Sequence, residues 1–114
     1  MPFEKRTRVE IFLPIRSDLL EYRAVTEWLA EELAISRGGS TLTTPFTGLY
    51  MSDSHGSILR DSVQVLFCDF DLEPNDPAQE IELVDYLNTL RLLLMDILLE
   101  EEVWIVYHSV SRII

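Results

Sequence analysis

Histidine, cysteine and closely spaced carboxylates are the groups through which a small chain does most of its chemistry, and here they are few. The sequence holds two histidines and one cysteine, which is too few for a zinc cluster of recognisable spacing. His55 stands in Ser52-Asp53-Ser54-His55-Gly56-Ser57, where Asp53 could orient it as a general base. With Tyr50 and Arg60 it marks a candidate ligand pocket; the competing reading is a cluster of ordinary turn residues. Asp69-Phe70-Asp71 sets two carboxylates on one face of a strand, about 7 Å apart by strand geometry. Joined by Glu73 they form a candidate site for a hard divalent cation, against the alternative of a strand end emerging into solvent. Gly38-Gly39-Ser40-Thr41 has the composition of a phosphate loop. However, it follows a helix and precedes a strand, whereas phosphate loops follow a strand and open a helix. It is read as a helix cap and turn. Cys68 falls in an apolar strand pattern, the setting of a buried structural thiol. His108 lies in a strand beside aromatics, as a core or interface histidine does. Glu100-Glu101-Glu102 is read as a solvated turn. Nothing marks a nucleophile elbow, so no catalytic residue is assigned and no cofactor is implied.

The elements that would position these groups follow from periodicity. Arg8 to Ile15 alternates, with Val9, Ile11 and Leu13 on one side and Glu10, Phe12 and Pro14 on the other, the signature of a strand. Ser17 and Asp18 supply a cap signal for a helix running to Arg37, whose stripe is Tyr22, Val25, Leu29 and Leu33. Gly38-Gly39 closes that helix. Thr41 to Met51 is rich in β-formers but carries Pro45, which cannot donate to a ladder, so it is expected to be a bulged edge strand. Ile58 to Leu72 forms the next strand, in a hairpin with it. Asp76 and Pro77 have the pattern of an N-cap and first-turn proline, opening a helix from Ala78 to Leu99. Val103 to Val110 alternates again.

The order strand-helix-strand-strand-helix-strand predicts an α+β chain forming one domain over residues 1–114. The expected fold is a ferredoxin-like two-layer sandwich: a four-stranded antiparallel sheet with two helices on one face, and the second and fourth strands at its edges.

That architecture leaves one sheet face bare, and a bare face should be polar. Here it is not. Val63, Val65 and Phe67 alternate with Leu66, Cys68 and Phe70, while Trp104 and Val106 alternate with Ile105 and Tyr107. The second helix carries two apolar stripes, one of Leu83, Leu87, Leu90, Leu94 and Leu98, and another of Ile81, Leu92, Met95 and Leu99 about a third of a turn away. Surface of that kind calls for a cover. A homo-oligomer, most simply a dimer, is expected; the competing reading folds a terminal segment over the bare face.

Nine Lys and Arg against twenty Asp and Glu leave a formal net charge of −11. Such a field repels the phosphates of nucleic acid and anionic lipid headgroups, so neither nucleic acid nor membrane is an expected partner. The basic cluster Lys5-Arg6-Thr7-Arg8 is read as a solvated lead-in to the first strand. One cysteine permits no internal disulfide. With no signal-peptide pattern at the start and no apolar run near a bilayer span, the expected location is the cytoplasm.

The block Gly38-Gly39-Ser40-Thr41, Gly48-Leu49-Tyr50, Gly56 and Asp61-Ser62-Val63-Gln64-Val65 resembles a set of uncharacterised bacterial proteins with a ferredoxin-like fold. The resemblance covers about a third of the chain and implies no activity and no catalytic residue. The element order is also similar to that of nitrogen-regulatory signalling trimers and of dimeric α/β-barrel monooxygenases. The chain lacks the long nucleotide-binding hairpin loop of the first and an active-site set of the second. The expected function is a non-catalytic, homo-oligomeric binding or regulatory module; the alternative is a small enzyme of the dimeric α/β-barrel type acting on a small organic substrate.

Overall fold

The computed structural model describes residues 2–51 and 56–114. The elements are β1 (Phe3–Pro14), α1 (Glu21–Arg37), β2 (Thr41–Leu42), β3 (Phe46–Met51), β4 (Ile58–Phe70), α2 (Pro77–Ile97) and β5 (Ile105–Ile113). The sheet is antiparallel and has five strands, not the four expected. Both β2 and β3 pair with β4, which is followed across the sheet by β1 and then β5. The extra strand arises at Thr43-Thr44-Pro45, where the anticipated bulged edge strand breaks in two. Thr43 bridges the gap, its N–H reaching the Val65 carbonyl and its hydroxyl accepting from the Val65 N–H. Proline can do neither, so the ladder restarts only at Phe46.

Both helices pack against the face formed by Val9, Ile11 and Leu13 of β1 and Leu66, Cys68 and Phe70 of β4. Leu29 and Leu33 of α1 and Leu83, Leu90 and Leu94 of α2 meet there, with Leu98 and Val103 closing one end. The anticipated stripe of α1 is largely that observed, with Thr26 buried and Val25 only partly so. The anticipated inner stripe of α2 is buried throughout. Its outer stripe is not, since Ile81, Leu92 and Leu99 lie mostly in solvent.

The caps follow local chemistry. Asp76 Oδ1 accepts from the backbone N–H groups of Ala78 and Gln79, with Pro77 in the first turn of α2, satisfying N–H groups that have no helical partner. Gly38 ends α1 at a φ of 93°, a conformation glycine adopts without Cβ strain. At the start of α1 no side chain caps the helix. Asp18 is drawn away into an ion pair with Arg16 instead, which lowers its carboxyl pKa.

The basic segment at residues 5–8 is no lead-in, because it lies within β1 and pairs with β5. Thr7 faces the helices, fully buried, and its hydroxyl donates to the Leu72 carbonyl. Arg6 and Arg8 face the other way, and both find carboxylates there. Paired charge and a buried hydroxyl let the strand start several residues early. Among the described residues no helix is long and apolar enough to cross a membrane.

Candidate functional site

One concavity lies on the sheet face away from the helices, and a second opens at the edge of β4 towards the other end. Along β1 the even-numbered residues from Arg6 to Pro14 lie on this face, and register aligns them with Asp69, Phe67, Val65 and Val63 of β4. Six residues of strand separate Arg8 from Pro14, about 20 Å.

The first concavity is a cleft of about 590 Å³ lined by Phe12, Pro14, Tyr50, Leu59, Val63 and Trp104, with Asp61, Glu100, Glu101 and Glu102 at its rim. It exists because β3 and the first residues of β4 outrun the sheet. Pro14 pairs with Val63, but the hairpin continues through Asp61 and Leu59. The overhanging hairpin curls across the face, so that Tyr50 meets Trp104, which lies beyond β4 and β1 just before β5, edge to face at 6.3 Å between ring centroids. Tyr50 folds back over Gly48, where a Cβ would stand only 2.5 Å from the tyrosine Oη. Glycine at that position is what lets the ring lie flat on its own strand. Val63 is buried although it faces away from the helices, so the chain covers part of its apolar second face with its own hairpin, not with a terminus. The acidic rim is held by Arg16. Its guanidinium donates to the carbonyls of Leu98 and Leu99 and to Glu100 Oε1, a cation at a helix C-terminus where the macrodipole favours one.

The second concavity, about 280 Å³, lies at the edge of β4 beyond β2. Arg6, Arg8, Arg37 and Arg112 line it, together with Gly38-Gly39-Ser40-Thr41, Cys68 and Asp69. Four of the chain's nine basic residues thus gather round one cavity in an acidic protein. Asp69 takes Arg8 in a two-pronged pair, Nε to Oδ1 at 2.8 Å and Nη2 to Oδ2 at 3.0 Å. That contact holds the Asp69 carboxyl below its usual range and raises the Arg8 pKa. Glu4 Oε1 accepts from both Arg6 and Arg112 at 3.2 Å. Arg37 joins no ion pair among the described residues. Its guanidinium carbon stands 4.3 Å above the Phe70 ring and 5.2 Å from that of Tyr86, and its Nε is buried with no hydrogen-bond partner. The loop wall is tied down on both sides. The Cys68 thiol donates to the Gly39 carbonyl and the Ser40 hydroxyl to that of Ala30. Burial pushes the Cys68 thiol up to about 11, so it serves here as a donor and not as a nucleophilic thiolate.

Of the residues singled out from the sequence, Tyr50 lines the hairpin cleft. Arg60 pairs with Leu49, one register step from Tyr50 and Leu59, and therefore projects from the opposite side of the hairpin. His55 lies outside the described residues. Asp69, Asp71 and Glu73 do not gather into a cation-holding group, and no such group of three occurs among the described residues. Asp69 is committed to Arg8, while Asp71 and Glu73 are exposed. The arginine cavity escaped the sequence reading. Its one legible trace is that Arg6 and Arg8 stand two residues apart; that they share a strand face, and that Arg112 and Arg37 join them, depends on where β1 begins, on strand register and on where α1 ends.

No protein-family model, curated protein or solved structure matches this chain.

Proposed function

We propose that this chain is a ferredoxin-like, homo-oligomeric binding module of the cytoplasm, dimeric in its simplest form, whose bare sheet face is the surface it uses to pair with a second copy. Taken as one interrupted edge strand, β2 and β3 give the four-stranded order expected of that fold, with both helices on one face. The fold carries no function by itself. The observation that does is the composition of the bare face: Trp104 is 53% exposed and Phe46 51%, with Val106 and the hairpin residue Leu59 also open. Aromatic anchors of this size dominate protein interfaces, and two sheets packed face to face bury such residues on both sides.

Charge favours a second copy as the occupant. One end of the face is rich in arginine (Arg6, Arg8, Arg112) and the other in carboxylates (Asp61, Glu100, Glu101, Glu102). A two-fold axis lying across the strands would set the arginine end of each copy over the acidic end of its partner, an isologous and closed arrangement. An axis along the strands would oppose like charges.

Size-exclusion chromatography with light scattering tests the reading. A dimer mass is expected at tens of micromolar, weakening with added salt and reduced to the single chain by Trp104→Glu. A single-chain mass for the unaltered protein at that concentration would overturn it.

The cleft beneath the hairpin favours a second reading, a small enzyme of the dimeric α/β-barrel type, whose acidic rim suits a neutral or cationic organic substrate. Saturable quenching of Trp104 fluorescence by such a compound would support it; a flat response across a panel of them counts against it.

A further inference from the structure

We infer that the cavity bounded by Arg6, Arg8, Arg37, Arg112 and the Gly38–Thr41 loop is a binding site for a compact dianion, either a small phosphate monoester or a dicarboxylate. The site is complete within one chain and does not rest on self-association, with which it competes: Arg6, Arg8 and Arg112 are the arginines that the proposed pairing would set against the carboxylates of a second copy.

Three features carry the inference. The first is charge. Four guanidinium groups line the cavity and two carboxylates, Glu4 and Asp69, neutralise part of them, leaving a surplus of two positive charges in a chain whose total is −11. A phosphate monoester near neutral pH carries close to two negative charges, and a dicarboxylate carries two. The second is geometry. Guanidinium groups present paired N–H donors in a rigid fork that matches carboxylate and phosphate oxygens. Arg6, Arg8 and Arg112 come from two neighbouring strands while Arg37 comes from the end of α1, so donors reach the cavity from more than one direction. The third is Arg37 itself. Stacking on Phe70 and Tyr86 fixes its plane, yet its Nε is buried without a partner. The buried Nε stays unpaired, and no carboxylate neutralises the Arg37 charge among the described residues; an anion in the cavity that Arg37 lines supplies that charge compensation. The cavity, about 280 Å³, falls just below the usual range of small-molecule pockets. That suits a compact metabolite, larger than a bare ion and smaller than a dinucleotide.

Isothermal titration calorimetry tests this, on the unaltered chain and on the single-chain Trp104→Glu variant, with glycerol phosphate, inorganic phosphate and succinate, each at ionic strength matched with sodium chloride. One site per chain is expected, with saturable heat from at least one dianion and none from chloride. Preference for glycerol phosphate over succinate identifies the phosphate monoester class, and the reverse identifies the dicarboxylate. Arg37→Met should weaken binding about tenfold or more, the usual effect of removing one charge-assisted contact. Gly39→Asp is a second, independent probe. A Cβ there meets nothing within 4 Å and the backbone is not left-handed, so the fold should tolerate it, while a carboxylate at the cavity lip should abolish binding. Arg91→Met, on the side of α2 that meets β5 and away from this cavity, should leave binding unchanged. Absence of saturable heat from all three anions, or binding that survives both Arg37→Met and Gly39→Asp, overturns the inference.

Discussion

Replacing Arg37 by methionine asks whether that side chain holds the fold or waits for something else. Two opposing quantities set the outcome. Arg37 stacks its charge over Phe70 at 4.3 Å and near Tyr86 at 5.2 Å, an interaction worth about 0.5–2 kcal/mol depending on desolvation. Against this, its Nε is buried with no partner, and an unsatisfied buried donor costs about 1–3 kcal/mol. Methionine keeps an unbranched stem of similar reach and places a polarizable sulfur near the same rings, so the packing contribution survives. The two terms nearly cancel, and the expected change in unfolding free energy without added anion is within about 1.5 kcal/mol of zero, of either sign. Urea denaturation in chloride buffer, followed by far-ultraviolet circular dichroism, reads it directly, with the slope unchanged if the unfolded ensemble is unaltered. A loss of more than about 3 kcal/mol, the scale seen when a buried network is broken, would refute the reasoning, because Arg37 would then be a structural residue rather than one whose donors are spare.

The remaining expectations concern single positions. Leu99 holds a φ of 55° just past the end of α2 and is 68% exposed, so Leu99→Gly should stabilise the protein by about 0.5–1 kcal/mol by relieving left-handed strain at little loss of burial; a lower melting temperature would contradict this. Asp76→Ala removes the acceptor for two backbone N–H groups of α2 and should cost about 0.5–2 kcal/mol, measurable as a lower urea midpoint. Gly48→Ala puts a methyl where the Tyr50 ring lies, and should swing that ring off Trp104, seen as altered Trp104 emission in a Trp28→Phe background, with the far-ultraviolet spectrum intact. The Asp69 carboxyl is held below its ordinary value chiefly by its hydrogen bonds from Arg8. The stabilisation it contributes is therefore complete above the unfolded carboxyl pKa of about 4 and is lost as pH falls through the lower folded value. Asp69→Asn should flatten the decline of the urea midpoint below pH 4; an unchanged decline would assign it to other carboxylates such as Asp18.

Much of the fold was legible because period and punctuation are local properties. Val9, Ile11 and Leu13 alternate with Phe12 and Pro14 whatever lies beside them, Leu83, Leu87, Leu90 and Leu94 fall on one helical stripe, and Asp76-Pro77 and Gly38 mark helix ends by their own stereochemistry. The apolar character of both sheet faces was equally visible. What sits on the second face was not, because the curl of an overhanging hairpin depends on β4 outrunning β1, and strand lengths are settled by pairing rather than by composition. For the same reason Tyr50 and Arg60, ten residues apart, could be placed near each other but not on the same side, since a single step of register reverses a side chain.

The arginine cavity marks the boundary most clearly. Sequence alone determined the excess of acid and the scarcity of basic residues, while the extension of β1 that gives Arg6 and Arg8 one strand face came from its pairing with β5. Only the tertiary structure decided that Arg112 pairs beside them at Glu4, that α1 ends where Arg37 can lie on Phe70, and that the Gly38–Thr41 turn closes the ring. Those residues are brought together from four separate segments. Their meeting is a consequence of antiparallel register and helix docking, which are collective outcomes of burying one core and are written in no single stretch of the chain.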